Sequence, residues 1–412
     1  MQPVLGISKF QNKTLDPLVK QTMTTNIPIL DLNPQYQSIK TEVQAAINRV
    51  LESGRFIMGP EVQQFESEVA AYLGVSHAIG VNSGTDALVI GLKALGIGSG
   101  DEVITTPFSF FATAESISQV GATPVFVDVD LDSCNLDPKQ IEPAITERTK
   151  AILPVHLYGR PAAMGQILEI AQRYQLKVIE DCAQAFGARY WGNCSECDCS
   201  DSQSESELGG RPVGTLGDVG AFSFFPSKNL GTYGDGGMIV TDDDSVAETA
   251  RMLRVHGAKQ KYRNEILGYN SRLDALQAAI LRVKLKYIDK WNGDRYRVAR
   301  AYNSALRQVP GIAAPPLVKG HVFHQYTIRV LNGQRDKLMQ ALNDKGIGTM
   351  VYYPVPQDEL PVYRGQYPTR VTSHQLATEV LSLPIWPELE PLTVENISQT
   401  IKLVMNDIVK VY

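Results

Sequence analysis

The chain has 412 residues, 43% of them hydrophobic and 20% charged, with a formal net charge of −5. That length exceeds what one simple core fills, so a large domain with a smaller companion is expected. Mild acidity without a block of basic residues argues against nucleic acid as the main partner, and no apolar run reaches the ~20 residues of a membrane helix.

The N-terminus has no charged segment followed by an apolar stretch, so no secretory signal is read and a cytoplasmic location is expected. Residues 1–25 carry neither helical nor strand periodicity and read as a flexible extension, with Met23 standing just before the ordered region. Two helices follow. Ser38 to Glu52 places Ile39, Val43, Ala46, Ile47 and Val50 on one face, and Pro60 to Leu73 turns Val62, Phe65, Val69 and Tyr72 inward.

From His77 to Val240 short apolar runs alternate with helical segments. Strands are expected at Ala78–Val81, Glu102–Thr105, Pro124–Val127, Ala151–Val155, Val178–Glu180, Ala221–Phe225 and Met238–Thr241. Helices are expected at Asp86–Leu95, Phe111–Val120 and Met164–Tyr174. This rhythm predicts an α/β fold, a mostly parallel sheet covered on both faces, with ligands beyond the carboxyl ends of the strands. A long helical region from Leu273 to about Val309 is broken by Pro310-Gly-Ile-Ala-Ala-Pro-Pro316. A small α+β unit then ends the chain: a strand at Gln325–Leu331, a helix at Asp336–Lys345 and a last helix from Thr393 to Val409. The expected division is a large domain over 26–270 and, over 271–412, the long helix with the small domain.

Five cysteines in a chain this long do not suggest a disulfide framework. Cys194, Cys197 and Cys199 cluster in an acidic, Ser-rich stretch. Three thiols fall short of the four ligands of a closed zinc site, and the composition is that of a disordered loop. Residues 191–211 therefore read as a disordered insertion, and no metal site is expected.

The chemistry concentrates on loops just after strands. In Asn82-Ser-Gly-Thr-Asp-Ala-Leu88, Ser83, Gly84 and Thr85 open a helix with free backbone N–H groups and hydroxyls. That is a natural phosphate cradle, though a plain N-cap by Ser83 or Thr85 explains the same residues. Pro107-Phe-Ser-Phe-Phe-Ala-Thr-Ala114 and Val178-Ile-Glu-Asp-Cys-Ala-Gln-Ala-Phe-Gly187 follow the next strands. In the latter Asp181 stands at a strand end as a ligand or an N-cap, with Glu180 on the opposite face. In Ala221-Phe-Ser-Phe-Phe-Pro-Ser-Lys-Asn-Leu-Gly-Thr-Tyr-Gly-Asp-Gly-Gly-Met-Ile-Val240 one lysine, Lys228, sits between two strands beside Ser223 and Ser227. A lysine that attacks a carbonyl must be held, partly desolvated and free as the amine for part of the cycle, and this setting does that.

The run from Ser223 through Lys228 to Gly231, followed by Gly234-Asp-Gly-Gly, resembles the Schiff-base lysine segment of the DegT/StrS family. Members are aminotransferases that use pyridoxal 5'-phosphate and act on nucleotide-linked keto sugars. The resemblance runs from about Ile27 to the C-terminal helix. It implies the aspartate aminotransferase-like fold (type I) and amino transfer from glutamate in amino-sugar and cell-surface polysaccharide biosynthesis, with the lysine segment most similar to members acting at the sugar's third carbon. It implies further that Lys228 forms the imine with the cofactor and then moves protons, and that Asp181 keeps the pyridine nitrogen protonated. Phe110 would stack on the ring, Gln184 would hydrogen-bond its phenolic oxygen, and Ser223 would hold the phosphate.

Gly268-Tyr-Asn-Ser-Arg-Leu-Asp-Ala-Leu-Gln-Ala-Ala279 matches another family signature. It implies a homodimer with shared active sites, Asn270 reaching the neighbour's cofactor phosphate. Arg272 is a candidate for a sugar carboxylate or diphosphate, or else a helix-surface ion-pair partner. His324, Tyr326 and Tyr352 are further substrate candidates, His324 doubling as an ordinary buried histidine. Pro354-Val-Pro-Gln-Asp-Glu-Leu-Pro361 departs from the family, carrying Asp358 and no histidine. Two other readings stand beside the aminotransferase: a sugar dehydratase, whose relatives replace the lysine by histidine, and a regulator that keeps the fold without the chemistry.

Overall fold

A computed structural model describes residues 26–192 and 208–410. The expected extension at 1–25, the three clustered cysteines and most of the expected insertion lie outside the described residues.

Two helices, α1 (Asn33–Ser53) and α2 (Pro60–Leu73), precede the sheet. Each has proline in its first turn, where no intrahelical N–H is needed. Strands and helices then alternate: β1 (His77–Val81), α3 (Gly84–Ala94), β2 (Glu102–Thr105), α4 (Ala112–Gln119), β3 (Thr123–Phe126), β4 (Thr149–Ile152), α5 (Met164–Tyr174), β5 (Lys177–Asp181), β6 (Val219–Ser223) and β7 (Gly237–Thr241). They form a seven-stranded sheet in the order β1-β7-β6-β5-β4-β2-β3, in which β7 alone runs antiparallel to its neighbours. The strands are mostly apolar because both faces are covered, by α3 and by the α2 side of the molecule, each over a buried cluster.

Next come α6 (Asp244–Leu253), a short hairpin of β8 (Ala258–Gln260) and β9 (Arg263–Asn264), then α7 (Ala275–Leu285) and α8 (Ile288–Leu306). The long helix expected from Leu273 is thus two helices. The division follows packing. Ala275, Ala279, Ile280 and Val283 of α7 bury against α1, whereas Val298, Ala299, Tyr302 and Leu306 of α8 enter the C-terminal core. That core holds a three-stranded antiparallel sheet of β10 (Ile312–Ala313), β11 (Tyr326–Val330) and β12 (Val380–Leu383), in the order β10-β11-β12. Around it pack α9 (Arg335–Asp344), α10 (Val371–Glu379) and α11 (Pro391–Lys410). Among the described residues no helix is long and apolar enough to cross a membrane.

Candidate active site

β1, β2, β5 and β6 point the same way, and the loops at their carboxyl ends line one cavity of about 440 Å³. Ser83, Gly84 and Thr85 come from the first loop, Phe110 and Thr113 from the second, Asp181 and Gln184 from the third, Ser223 and Lys228 from the fourth. This is the crevice in which open α/β sheets place ligands.

At one end, the Ser83 hydroxyl accepts the Asp86 amide at 3.1 Å, so the N-cap reading is realised and the first turn of α3 is held open toward the cavity. The strand ends approach as closely as glycine permits. A Cβ on Gly84 would stand 2.6 Å from Ser223 Cβ, and one on Gly237 would overlap the Ser83 carbonyl. Helix dipole, free amides and the Ser223 hydroxyl thus face one small space, suited to an anion.

Alternation along β5 turns its two carboxylates to opposite faces. Glu180 accepts amides from Gly214 at 2.8 Å, Leu216 at 2.7 Å and Gly217 at 2.7 Å. It also faces His156 Nε2 at 2.9 Å, and His156 Nδ1 accepts from Ala162 N. Asp181 has its Oδ2 on the Thr113 hydroxyl at 2.8 Å and its Oδ1 on the Ala183 amide at 3.1 Å. Burial pushes the Asp181 carboxyl above its ordinary value, while those two bonds and the Lys228 charge pull it back. Burial pushes the Lys228 amine down to about 8, and the Asp181 charge opposes that shift. The loop is fixed at Asn229, whose amide nitrogen donates to Asn292 Oδ1 and the Val322 carbonyl while its oxygen faces His324 Nδ1 at 3.1 Å. His324 lines the cavity and is held well below its ordinary range, first by burial and then by the Lys228 and Arg295 charges.

The Phe110 ring is 59% exposed at the cavity wall, while Phe111 packs toward Tyr363. Gln184 accepts the Tyr158 amide at 2.6 Å and donates to the Tyr353 hydroxyl at 3.0 Å. Tyr352 lines the cavity. Tyr326 does not. It is fully buried in the C-terminal core, at the start of β11, stacked on Tyr302 and bonded to Asn303. Its candidacy as a substrate contact is overturned. Asn270 is exposed and Arg272 half-buried, and neither is among the residues lining this chain's cavity. Thr113 and Tyr353 escaped the sequence reading. The hydroxyls of Ser109 and Thr113, one helical turn apart and bonded at 2.9 Å, and the Tyr352-Tyr353 pair before Pro354 were the available signals.

A phosphate pocket, a buried carboxylate for a basic ring nitrogen, an aromatic wall and a depressed lysine fit pyridoxal phosphate residue by residue. Comparison with known proteins agrees. Residues 37–402 match the model of the DegT/DnrJ/EryC1/StrS aminotransferase family. The chain is 49% identical over 375 residues to a pleiotropic regulatory protein of Geobacillus stearothermophilus, spanning 89% of this chain and 95% of that one. It is 46% identical over 372 residues to the dTDP-3-amino-3,4,6-trideoxy-alpha-D-glucose transaminase of Streptomyces venezuelae, spanning 89% and 93%. The crystal structure of S. venezuelae DesV with a ketimine intermediate superposes with a TM-score of 0.85 at 44% identity, covering 92% of this chain and 98% of that one. The chain belongs to the DegT/DnrJ/EryC1/StrS aminotransferase family and is a pyridoxal-phosphate-dependent transaminase.

Proposed function

We propose that the protein moves an amino group from glutamate to a nucleotide-linked keto sugar, at the sugar's third carbon. The observation that carries this reading is the convergence of Lys228, Asp181, Phe110 and the Ser83–Thr85 helix start on one cavity. The third carbon is the position named in the Streptomyces transaminase.

Pyridoxal phosphate, when bound, supplies the aldehyde that exchanges for the amino group and a ring that accepts electrons. The chain's own residues do the rest. Ser83, Gly84, Thr85 and Ser223 would hold the phosphate at the α3 start, and the Phe110 face would take the ring. Asp181 keeps a proton on the ring nitrogen, its carboxylate aimed by Thr113 and Ala183. The Lys228 Nζ would anchor the aldehyde and then move the proton of the substrate's amine-bearing carbon. An amine already lowered toward neutrality by burial can both give and take that proton near pH 8. Gln184 offers its amide to the phenolic oxygen. His324 and Tyr352 face the substrate side.

The protein acts as a homodimer in which Asn270 and Arg272 complete the neighbour's site. Tyr262, Ile266 and Leu267 beside Asn270 are exposed apolar side chains, Leu267 at 92%, which favours burial against a second copy. Lys228 disfavours the dehydratase reading, and a regulator without chemistry leaves the paired Lys228 and Asp181 unexplained.

The test runs the reaction backwards: nucleotide-linked amino sugars with 2-oxoglutarate, reading out glutamate. A 3-amino sugar should give glutamate, and Lys228→Ala should give none. Turnover only with 4-amino sugars would overturn the carbon assignment. Glutamate failing to form with every amino sugar, while another amino acid converts the cofactor to its amine form, would overturn the donor.

A further inference from the structure

A second cluster lies outside the cavity, where the turn Gln357–Glu359 meets α10. One ligand atom each from Asp358, Glu359 and His374 lies within 4.8 Å of the others. His374 Nε2 stands 3.5 Å from Asp358 Oδ2 and 3.9 Å from Glu359 Oε1. The Asp358 side chain is only 1% exposed. Neither of its oxygens has a hydrogen-bond partner, and neither does His374 Nε2. A buried carboxylate without a donor carries its full desolvation penalty, and such groups in native proteins are accounted for by water or an ion. The 3.5 Å gap to His374 is too long for a hydrogen bond, so the histidine alone does not satisfy the carboxylate.

The spacing suits a cation better. Ligand atoms about 2.0–2.2 Å from a tetrahedral zinc ion sit about 3.4 Å from one another. One imidazole nitrogen and two carboxylates are a zinc-type donor set, and His374 (30% exposed) and Glu359 (39%) leave an open side for water. The other mixed cluster, His156, Glu180 and Cys182, differs in kind. It is fully buried, and three amides and an imidazole already occupy Glu180.

We propose that Asp358, Glu359 and His374 form a divalent-cation site of the zinc class, with water completing the coordination. Its place gives it a purpose. Gln357 donates through Nε2 to the Ser109 and Phe110 carbonyls, both at 3.2 Å, and through its backbone to the Pro107 carbonyl at 2.9 Å. The ion therefore braces the turn that holds the aromatic wall of the active site. Sequence spacing hides the cluster, because the turn and α10 are brought together only by the fold.

The test uses chelator-treated holoenzyme in which Cys194, Cys197 and Cys199 are serine, so that thiolates do not compete. Zinc alone is titrated by calorimetry, and cobalt by its visible absorption beyond the cofactor bands. One equivalent per chain is expected, with zinc raising the melting temperature. Zinc affinity should fall about 100-fold or more in Asp358→Asn and in His374→Gln, and the cobalt bands should vanish in both. His374 is partly exposed, so His374→Gln keeps the test decisive should Asp358→Asn fail to fold. Zinc binding no tighter in the parent than in His374→Gln would overturn the site and leave a plain Asp–His contact.

Discussion

Removing the Asp181 charge should make Lys228 a weaker base. In the apoprotein burial lowers the Lys228 amine from 10.5 to about 8, and Asp181 is the charge that resists. At pH 7 an amine titrating at about 8 is neutral about one time in ten; one at 10.5 is neutral about once in three thousand. The fold therefore raises the reactive amine about 300-fold at neutral pH before any ligand arrives. Asp181→Asn keeps the shape and removes the opposing charge, so the midpoint should fall below that of the wild type. Competitive acylation of the apoprotein, with the Lys228 peptide quantified by mass spectrometry across pH, measures both midpoints. A wild-type midpoint near 10.5, or a midpoint that rises in Asp181→Asn, would refute the reasoning.

The depressed lysines also shape stability. Lys284, almost fully buried, donates to the Gly231 carbonyl, lies under the Tyr233 ring and is likewise held at about 8 by burial. Between pH 8 and 10.5 the unfolded chain binds more protons than the folded one at both lysines, so apoprotein stability rises with pH across that window. Urea unfolding of Lys284→Met should show that rise flattened by up to about 1.4 kcal/mol per pH unit, and an unchanged slope would count against the assignment. Gly84→Ala forces a methyl to within 2.6 Å of Ser223 Cβ. It should cost about 1–3 kcal/mol of stability and weaken pyridoxal phosphate retention, read by equilibrium dialysis. Glu180→Gln puts an amide group against the Gly214, Leu216 and Gly217 donors. Its melting temperature should drop by the equivalent of about 1–3 kcal/mol while cofactor binding persists below the transition.

Much of this was legible because the large sheet is buried on both faces: its strands are short apolar runs, and its chemistry sits on the loops that follow them. Lys228, Asp181 and the Ser83–Thr85 helix start were readable for that reason, Asp181 closing β5 and the other two lying on the loops that follow β6 and β1. What escaped depends on contacts distant in sequence. Thr113 matters through its bond to Asp181, and Tyr353 through Gln184. Tyr326 misled because, although near His324 in the chain, its side chain packs into the C-terminal core against Tyr302 and Asn303 and not into the cavity. The division between α7 and α8 has no proline or glycine to mark it; α7 and the first turns of α8 (Trp291) pack against α1, and only the later part of α8, from Val298 on, enters the C-terminal core. α6 left a readable sign, the Asp243 carboxylate capping Ser245 and Val246, in a run of aspartates that reads equally well as a turn.

Three of the buried carboxylates sort by how fully the fold satisfies them. Glu180 takes three amides and an imidazole, which uses the acceptor capacity of two oxygens, so nothing is left for a ligand. Asp181, next in the chain and on the opposite face, takes one hydroxyl and one amide, and keeps lone pairs toward the cavity that a protonated ring nitrogen can use. Asp358 takes no donor at all. All three are buried, so what each lacks must come from outside the chain. For Glu180 nothing is missing, and its loss should be felt in folding. For Asp181 the partner proposed above is a ring proton, and its loss should be felt in chemistry. For Asp358 the whole shell is missing, and a cation is the partner that fills it with the neighbours it has.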